Sequence, residues 1–270
     1  MSAWNAMTYE GKDTILQVVR DEAERMFAMA GAPGSWEAPT ACTEWQVRDI
    51  IGHVVDTTEG YFKAFETARA GGSAEVHGLT VMHELAGDGG RAFRNVPQDE
   101  MMRRVRDDLD KMMGILEPLT EEEWGGLMVP HTYMGPVPAF VYAGGQLMDY
   151  GVHSWDIREG IGRAHALSAD AADLLVPFMF IIWQSTVRAS ADLSPFSVGV
   201  TVTGRNAGSY RVSISEQGLA YEPGDVGDLP AVLEFDPAAL VLTAFGRING
   251  GTAKGDQALA ERFLNLFYRI

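Results

Sequence analysis

The sequence predicts an α+β protein of two domains: a four-helix bundle over residues 1–165, then a small α+β domain with an antiparallel sheet over 166–270. Three observations carry the prediction. From Tyr9 to about Gly162 apolar residues recur at helical spacing, as in "ILQVVRDEAERMFAMA" and "EMMRRVRDDLDKMMGILEPL", which gives each segment one apolar face. After Pro195 the texture changes to alternating segments rich in Val, Ser, Thr and Tyr, with Gly, Asn and Pro at the breaks, the signature of strands and hairpins. With 270 residues, 46% of them hydrophobic, the chain is long enough for two cores of ordinary size.

Taken in order, four long helices are predicted at roughly 9–31, 44–70, 97–118 and 136–162, lengths that suit an antiparallel bundle with long connections. Thr43 followed by Gln46 has the form of a capping box at the start of the second. The Gly-rich run 71–90 reads as loop with some helix. "SADAADLLVPFMFIIWQSTVRAS" reads as a buried bridging helix of the second domain, interrupted near Pro177, where a ring replaces an N–H donor. Strands follow in "FSVGVTVTG", "SYRVSISEQ", "LAYEPG" and "AVLEFDP". Two amphipathic helices close the chain, their starts marked by Asp236-Pro237 and by Asp256, good N-terminal residues.

Lys and Arg number 21 against 37 Asp and Glu, a net charge of −16. Such a charge opposes association with nucleic-acid phosphates or anionic lipid, so the expected partner is a small molecule and the chain a monomer or homodimer. The one cysteine, Cys42, rules out an intrachain disulfide and excludes a cysteine-based metal site. No stretch approaches a membrane span and the N-terminus lacks a basic-then-apolar segment, which leads to the expectation of a soluble, cytoplasmic protein.

The stretch "GGQLMDYGVHSWDIREG" carries the chemistry: Asp149 and His153 stand four residues apart on a helix that otherwise reads as buried. Residues at i and i+4 share a face, so the two can grip one ion or bond to each other. "DIIGH" repeats the pattern with Asp49 and His53. Each histidine alone fits a core or interhelical residue better than a ligand. Placed together in a bundle, His53, Asp149 and His153 form a set of three, which suits zinc with an open fourth position and equally non-haem iron. Asp49, in the first turn of its helix, reads as orienting His53 or capping locally, and Asp156 as a packing or orienting group beside Trp155.

Two motifs make the reading specific. "TEWQVRDIIGHV" and "DYGVHSWDIREGIGR" resemble, in the same order, motifs of the mycothiol-dependent maleylpyruvate isomerase family, within the DinB-like metal-binding four-helix bundles. "AVLEFDPAALVLTAFGRINGGTAKGDQALAERFLNLF" resembles the ending of the sterol-carrier-like domain many members carry. The resemblance implies an enzyme with a divalent metal, most often zinc, on His53, Asp149 and His153, its open position facing a cleft between the domains. Many relatives have glutamate where this chain has Asp149, one methylene shorter, which bears on geometry and metal preference. It also implies mycothiol or another low-molecular-weight thiol as cofactor, whose thiolate adds to a small electrophile and then leaves (isomerase) or stays (S-transferase).

An anionic substrate needs positive charge near such a site. Arg91 and Arg94, in the predicted loop before the third helix, are the candidates in the bundle, and Arg247 in "GRING" is the one the resemblance favours, for cofactor as well as substrate. Of the other histidines, His77, His83, His131 and His165 fall in predicted loops or helix ends and read as exposed; His131 in "VPHTYMGP" is the best placed of them to line a pocket. Cys42 reads as a packing cysteine, reactive only if a helix N-terminus lowers its pKa. The Met-rich pieces fit core positions, and "GGTAKGD" lacks the Walker spacing. Two other functions compete: a small-ligand-binding protein with a structural or vestigial metal site, suggested by "LLVPFMFIIW", and a thiol-independent metalloenzyme of natural-product metabolism. Fold alone does not choose among them.

Overall fold

The computed structural model describes residues 3–78, 81–163, 165–188 and 190–270, with the side chains of 83, 84 and 86 outside the description. The chain is α+β and forms two compact units, Met1–Leu167 and Ser168–Ile270.

In the first unit a 3-10 turn (Tyr9–Gly11) leads into α1 (Lys12–Ala30), followed by α2 (Val47–Arg69), α3 (Met82–Ala92), α4 (Gln98–Leu116), the short α5 (Glu121–Gly126), a hairpin of β1 (Met128–His131) and β2 (Gly135–Pro138), and α6 (Phe140–Gly160). α1 packs along α6 and α2 along α4, with α2 also meeting α6. The α2 stripe of Val47, Ile50, Ile51, Val54, Val55, Phe62 and Phe65 is buried, as its helical spacing requires. α6 is buried around most of its circumference, Asp156, Ser154 and Gln146 included.

Three expectations change here. The start of α2 lies four residues beyond Thr43: Gln46 is its N-cap, and its N–H donates to Asp49 Oδ2 at 2.9 Å. The Gly-rich run holds α3, the helix expected in part of it, and α3 moves Arg91 from the predicted loop onto a helix. Its glycines serve a close crossing, because a Cβ on Gly52 would stand 2.5 Å from the Gly90 carbonyl oxygen, and one on Gly90 would stand 3.3 Å from His53 Cβ. The hairpin β1–β2 carries no alternation long enough to announce it, and Gly135 turns it at φ 78°, a conformation glycine adopts freely.

The second unit contains α7 (Ala169–Thr186), β3 (Phe196–Val202), β4 (Gly208–Ser215), β5 (Gly218–Pro223), β6 (Ala231–Phe235), α8 (Pro237–Ala244), β7 (Thr252–Gly255) and α9 (Gln257–Leu264). The sheet order is β5-β4-β3-β6-β7. It is antiparallel except where β6 runs parallel to β3. The connection into β6 passes over Gly199, where a Cβ would stand 2.7 Å from that of Val226, so the crossover needs the missing side chain. Asp236 and Asp256 cap α8 and α9, accepting from the amides of Ala239 (2.9 Å) and Leu259 (3.0 Å). α7 continues through Pro177. Burial of Phe178, Phe180 and Trp183 around it, with Trp183 stacked on Phe267 at 5.5 Å, outweighs the lost backbone bond. The segment "GGTAKGD" is β7 and the cap of α9.

Candidate metal centre

α6 projects Asp149 and His153 from one face, and α2 brings His53 against them. The ligand atoms of the three all lie within 4.8 Å of one another. His53 Nε2 stands 3.5 Å from Asp149 Oδ1, the two side chains 12 and 15% exposed. The imidazoles of His53 and His153 meet edge to face at 5.2 Å, and the Trp45 ring closes one side, 5.1 and 5.8 Å from them.

Outer contacts orient both rings. His153 Nδ1 is 2.8 Å from Asp156 Oδ2, and a carboxylate accepting there fixes the proton on Nδ1 and turns Nε2 toward an ion. His53 Nδ1 lies 3.4 Å from the Thr57 hydroxyl. Asp149 Oδ2 is buried and has no hydrogen-bond partner among the described residues. A bare buried carboxylate oxygen is costly, and a cation between Asp149 and the two imidazoles removes that cost; the donor set therefore fits a divalent ion.

A second group, Cys42, His153 and Asp156, also satisfies the distances. It corrects the expectation that a single cysteine puts sulfur out of reach of any such cluster. Its members are engaged with each other, since the Cys42 thiol donates to Asp156 Oδ2 at 3.3 Å and His153 uses the same oxygen. The first group has the unsatisfied oxygen. Cys42 precedes the start of α2 by five residues, so the helix N-terminus is not its setting.

Asp49 caps α2 locally, one of its two sequence readings, with Oδ2 accepting from the Gln46 N–H. It is fully buried and receives Arg94 on both oxygens, at 2.6 and 2.8 Å. Burial alone would raise its pKa, but the Arg94 guanidinium and the Gln46 N–H outweigh it and hold the carboxyl below its ordinary value. Arg94 thus serves as a counter-ion rather than a free cation. Replacing it by methionine leaves Asp49 buried with only its backbone donor, and the expected loss, reduced for Arg94's partial exposure, is about 1–2 kcal/mol at pH 7. Because the folded pKa is depressed, that contribution is complete above 3.8 and fades as pH falls below it. Urea unfolding at pH 7 and at successively lower pH checks both parts: the difference between variant and native chains narrows as the pH falls.

Arg91 pairs with Asp88 (2.9 Å) and Glu44 (3.6 Å) at the surface. Arg247 belongs to the second unit, where it donates to the carbonyls of Phe245 (3.1 Å) and Ile270. His77 is exposed, as expected; His83 has its side chain outside the described residues. His165 is not exposed: its side chain pairs with Glu159 at 2.8 Å and packs on Trp155. His131 ends β1, half-buried against Tyr142, and burial lowers its pKa to about 4 against the opposing pull of Asp149. Tyr61, which no sequence signal separates from the apolar residues of α2, also feels Asp149; burial first and that charge second raise its pKa.

Fold and site together define a two-unit α+β protein with a histidine–carboxylate group inside a helical bundle. The family described as mycothiol maleylpyruvate isomerase N-terminal domain matches residues 19–158, and the chain belongs to that family. Among solved structures it is similar to the mycothiol-dependent maleylpyruvate isomerase, with a TM-score of 0.58 and 15% identity over 91% of this chain and 94% of that one. A histidine-to-alanine mutant of that protein gives the same values. At this identity the likeness is one of fold. No curated protein matches the sequence. Among the described residues no helix is long and apolar enough to cross a membrane.

Proposed function

We propose that the chain is an enzyme in which His53, Asp149 and His153 hold a divalent ion, zinc foremost, and in which a low-molecular-weight thiol, mycothiol by family, acts on a small electrophile. The observation that carries this is the unpaired buried Asp149 Oδ2 beside two oriented imidazoles. When bound, the ion supplies Lewis-acid chemistry that favours the thiolate form of the cofactor near neutral pH.

The chain's own residues do the rest. Asp156 keeps His153 in one tautomer, and Trp45 covers the imidazoles against water. Arg91, whose partners are exposed carboxylates, is the arginine of the bundle that a substrate anion can recruit, since surface pairs are worth little. Arg247 is the candidate for the polar groups of the thiol cofactor. The reaction is isomerisation or thiol transfer.

The test is spectroscopic. The full chain, loaded with cobalt and freed of excess ion, is expected to retain about one equivalent and to change its visible spectrum when a low-molecular-weight thiol is added. Retention without a spectral change removes the thiol from the proposal; no retention removes the ion.

A further inference from the structure

Two side chains near Asp149 are built as hydrogen-bond donors with no acceptor among the described residues. His131 Nδ1 accepts from the backbone N–H groups of Tyr133 and Met134, both at 3.2 Å. With Nδ1 fixed as acceptor, the neutral ring carries its proton on Nε2. The second is the Tyr61 hydroxyl. A Cβ at position 145 would stand 2.6 Å from it, so Gly145, one turn before Asp149 on α6, is the residue that leaves it room. Glycine inside a helix costs on the order of 1 kcal/mol relative to alanine, and here the cost coincides with a polar group that any side chain would displace.

Both residues lie against the same ring, Tyr142, with centroid distances of 4.7 Å for Tyr61 and 5.9 Å for His131. The Tyr142 hydroxyl is itself committed to the Pro130 carbonyl at 2.7 Å, which fixes that ring and with it the hairpin that carries His131. Gly145 shares a helix face with Asp149, which places the Tyr61 hydroxyl on the Asp149 side of α6, and the Asp149 charge acts on both residues. No partner for the Tyr61 hydroxyl or for His131 Nε2 is found among the described residues. Arg94, one of the two candidate cations of the bundle, is committed to Asp49.

We propose that Tyr61 and His131 form an uncharged donor pair that holds an oxygen of the substrate, carboxylate or enolate, beside His53, Asp149 and His153. This rests on the proposed function and names the chemistry its substrate must present: an electrophile bearing an oxygen acceptor next to the reacting carbon. Neutral donors suit that task close to Asp149, because they bind an anion without neutralising the carboxylate that the ion needs. They also aim where negative charge develops when a nucleophile adds to a conjugated carbonyl.

The probe is maleate, a small dicarboxylate, titrated into the full chain labelled with nitrogen-15 in its histidines, both metal-free and zinc-loaded. Tyr61→Phe removes only the hydroxyl. His131→Asn keeps a side-chain oxygen where Nδ1 was, to receive the two amides, and supplies nothing in place of Nε2–H; comparison with it assigns the His131 signals. The expected result is an Nε2-protonated His131 whose signal moves with maleate, and maleate binding weakened about tenfold or more in each variant, with zinc uptake equal to that of the native chain. A His131 protonated on Nδ1, native-strength maleate binding in both variants, or no maleate binding by the native chain overturns the proposal. If the native chain takes up no zinc, the proposed function fails by itself, and the metal-free titration decides the donor pair by the same two readouts.

Discussion

His153→Ala abolishes stoichiometric zinc binding, and His53→Ala does the same, while both chains stay folded. Each change removes one of three donors from a site whose members stand within 4.8 Å of one another. Losing a protein ligand costs more than losing an outer partner, for which 10- to 100-fold is typical, so a decrease of roughly a thousandfold or more in affinity is expected. Asp156→Asn is the graded comparison: it keeps the hydrogen-bonding shape but weakens the acceptor that orients His153 at 2.8 Å, and about tenfold is expected. Elemental analysis after dialysis, with far-ultraviolet circular dichroism as the check on folding, reads all three. Full zinc occupancy in His153→Ala would exclude this ligand set and the Cys42 group alike, since His153 belongs to both.

Asp108→Asn stabilises the protein at pH 8 and has little effect near pH 4. Asp108 sits on α4 with only 8% of its surface exposed, and its Oδ2 has no hydrogen-bond partner among the described residues. Burial, then the negative charge of Glu59, push its pKa from 3.8 to about 6, with Arg104 and Lys111 pulling the other way. The folded chain therefore holds a proton that the unfolded chain releases between those values. Stability falls as pH rises across that window and remains lower above it. A rise of this size corresponds to roughly 3 kcal/mol if fully expressed, and the neighbouring cations and local relaxation leave about 1–2 kcal/mol for the neutral amide to recover. Urea midpoints at pH 4 and pH 8 measure it; a variant less stable than the native chain at pH 8 would show that Asp108 is held as a carboxylate.

What the sequence made legible follows the range of the interaction concerned. Asp149 and His153 are readable because i,i+4 placement is a local property of any helix. The caps at Asp236 and Asp256 are readable for the same reason. The Arg94–Asp49 pair is not, since it joins residues 45 positions apart through a turn whose course depends on where α3 crosses α2. Pro177 misleads because its local cost is visible and the compensating burial of Trp183 is not. β7 is four residues long and exposed at the sheet edge, so it carries no apolar alternation at all. His131 looks like a loop histidine until the hairpin wraps two amides onto its ring.

The placement of the three candidate ligands on two helices has a consequence for which ion is accepted. Asp149 and His153 ride on one helix, so the spacing of their backbones is set by its pitch. His53 is the movable jaw of a caliper whose opening is the gap between α2 and α6. α3 is seated on that part of α2, against Gly52 and the Cβ and N–H of His53, through Gly90. Ionic radius would then be gauged in part by the packing of α3 on α2, through residues that need not touch the metal at all.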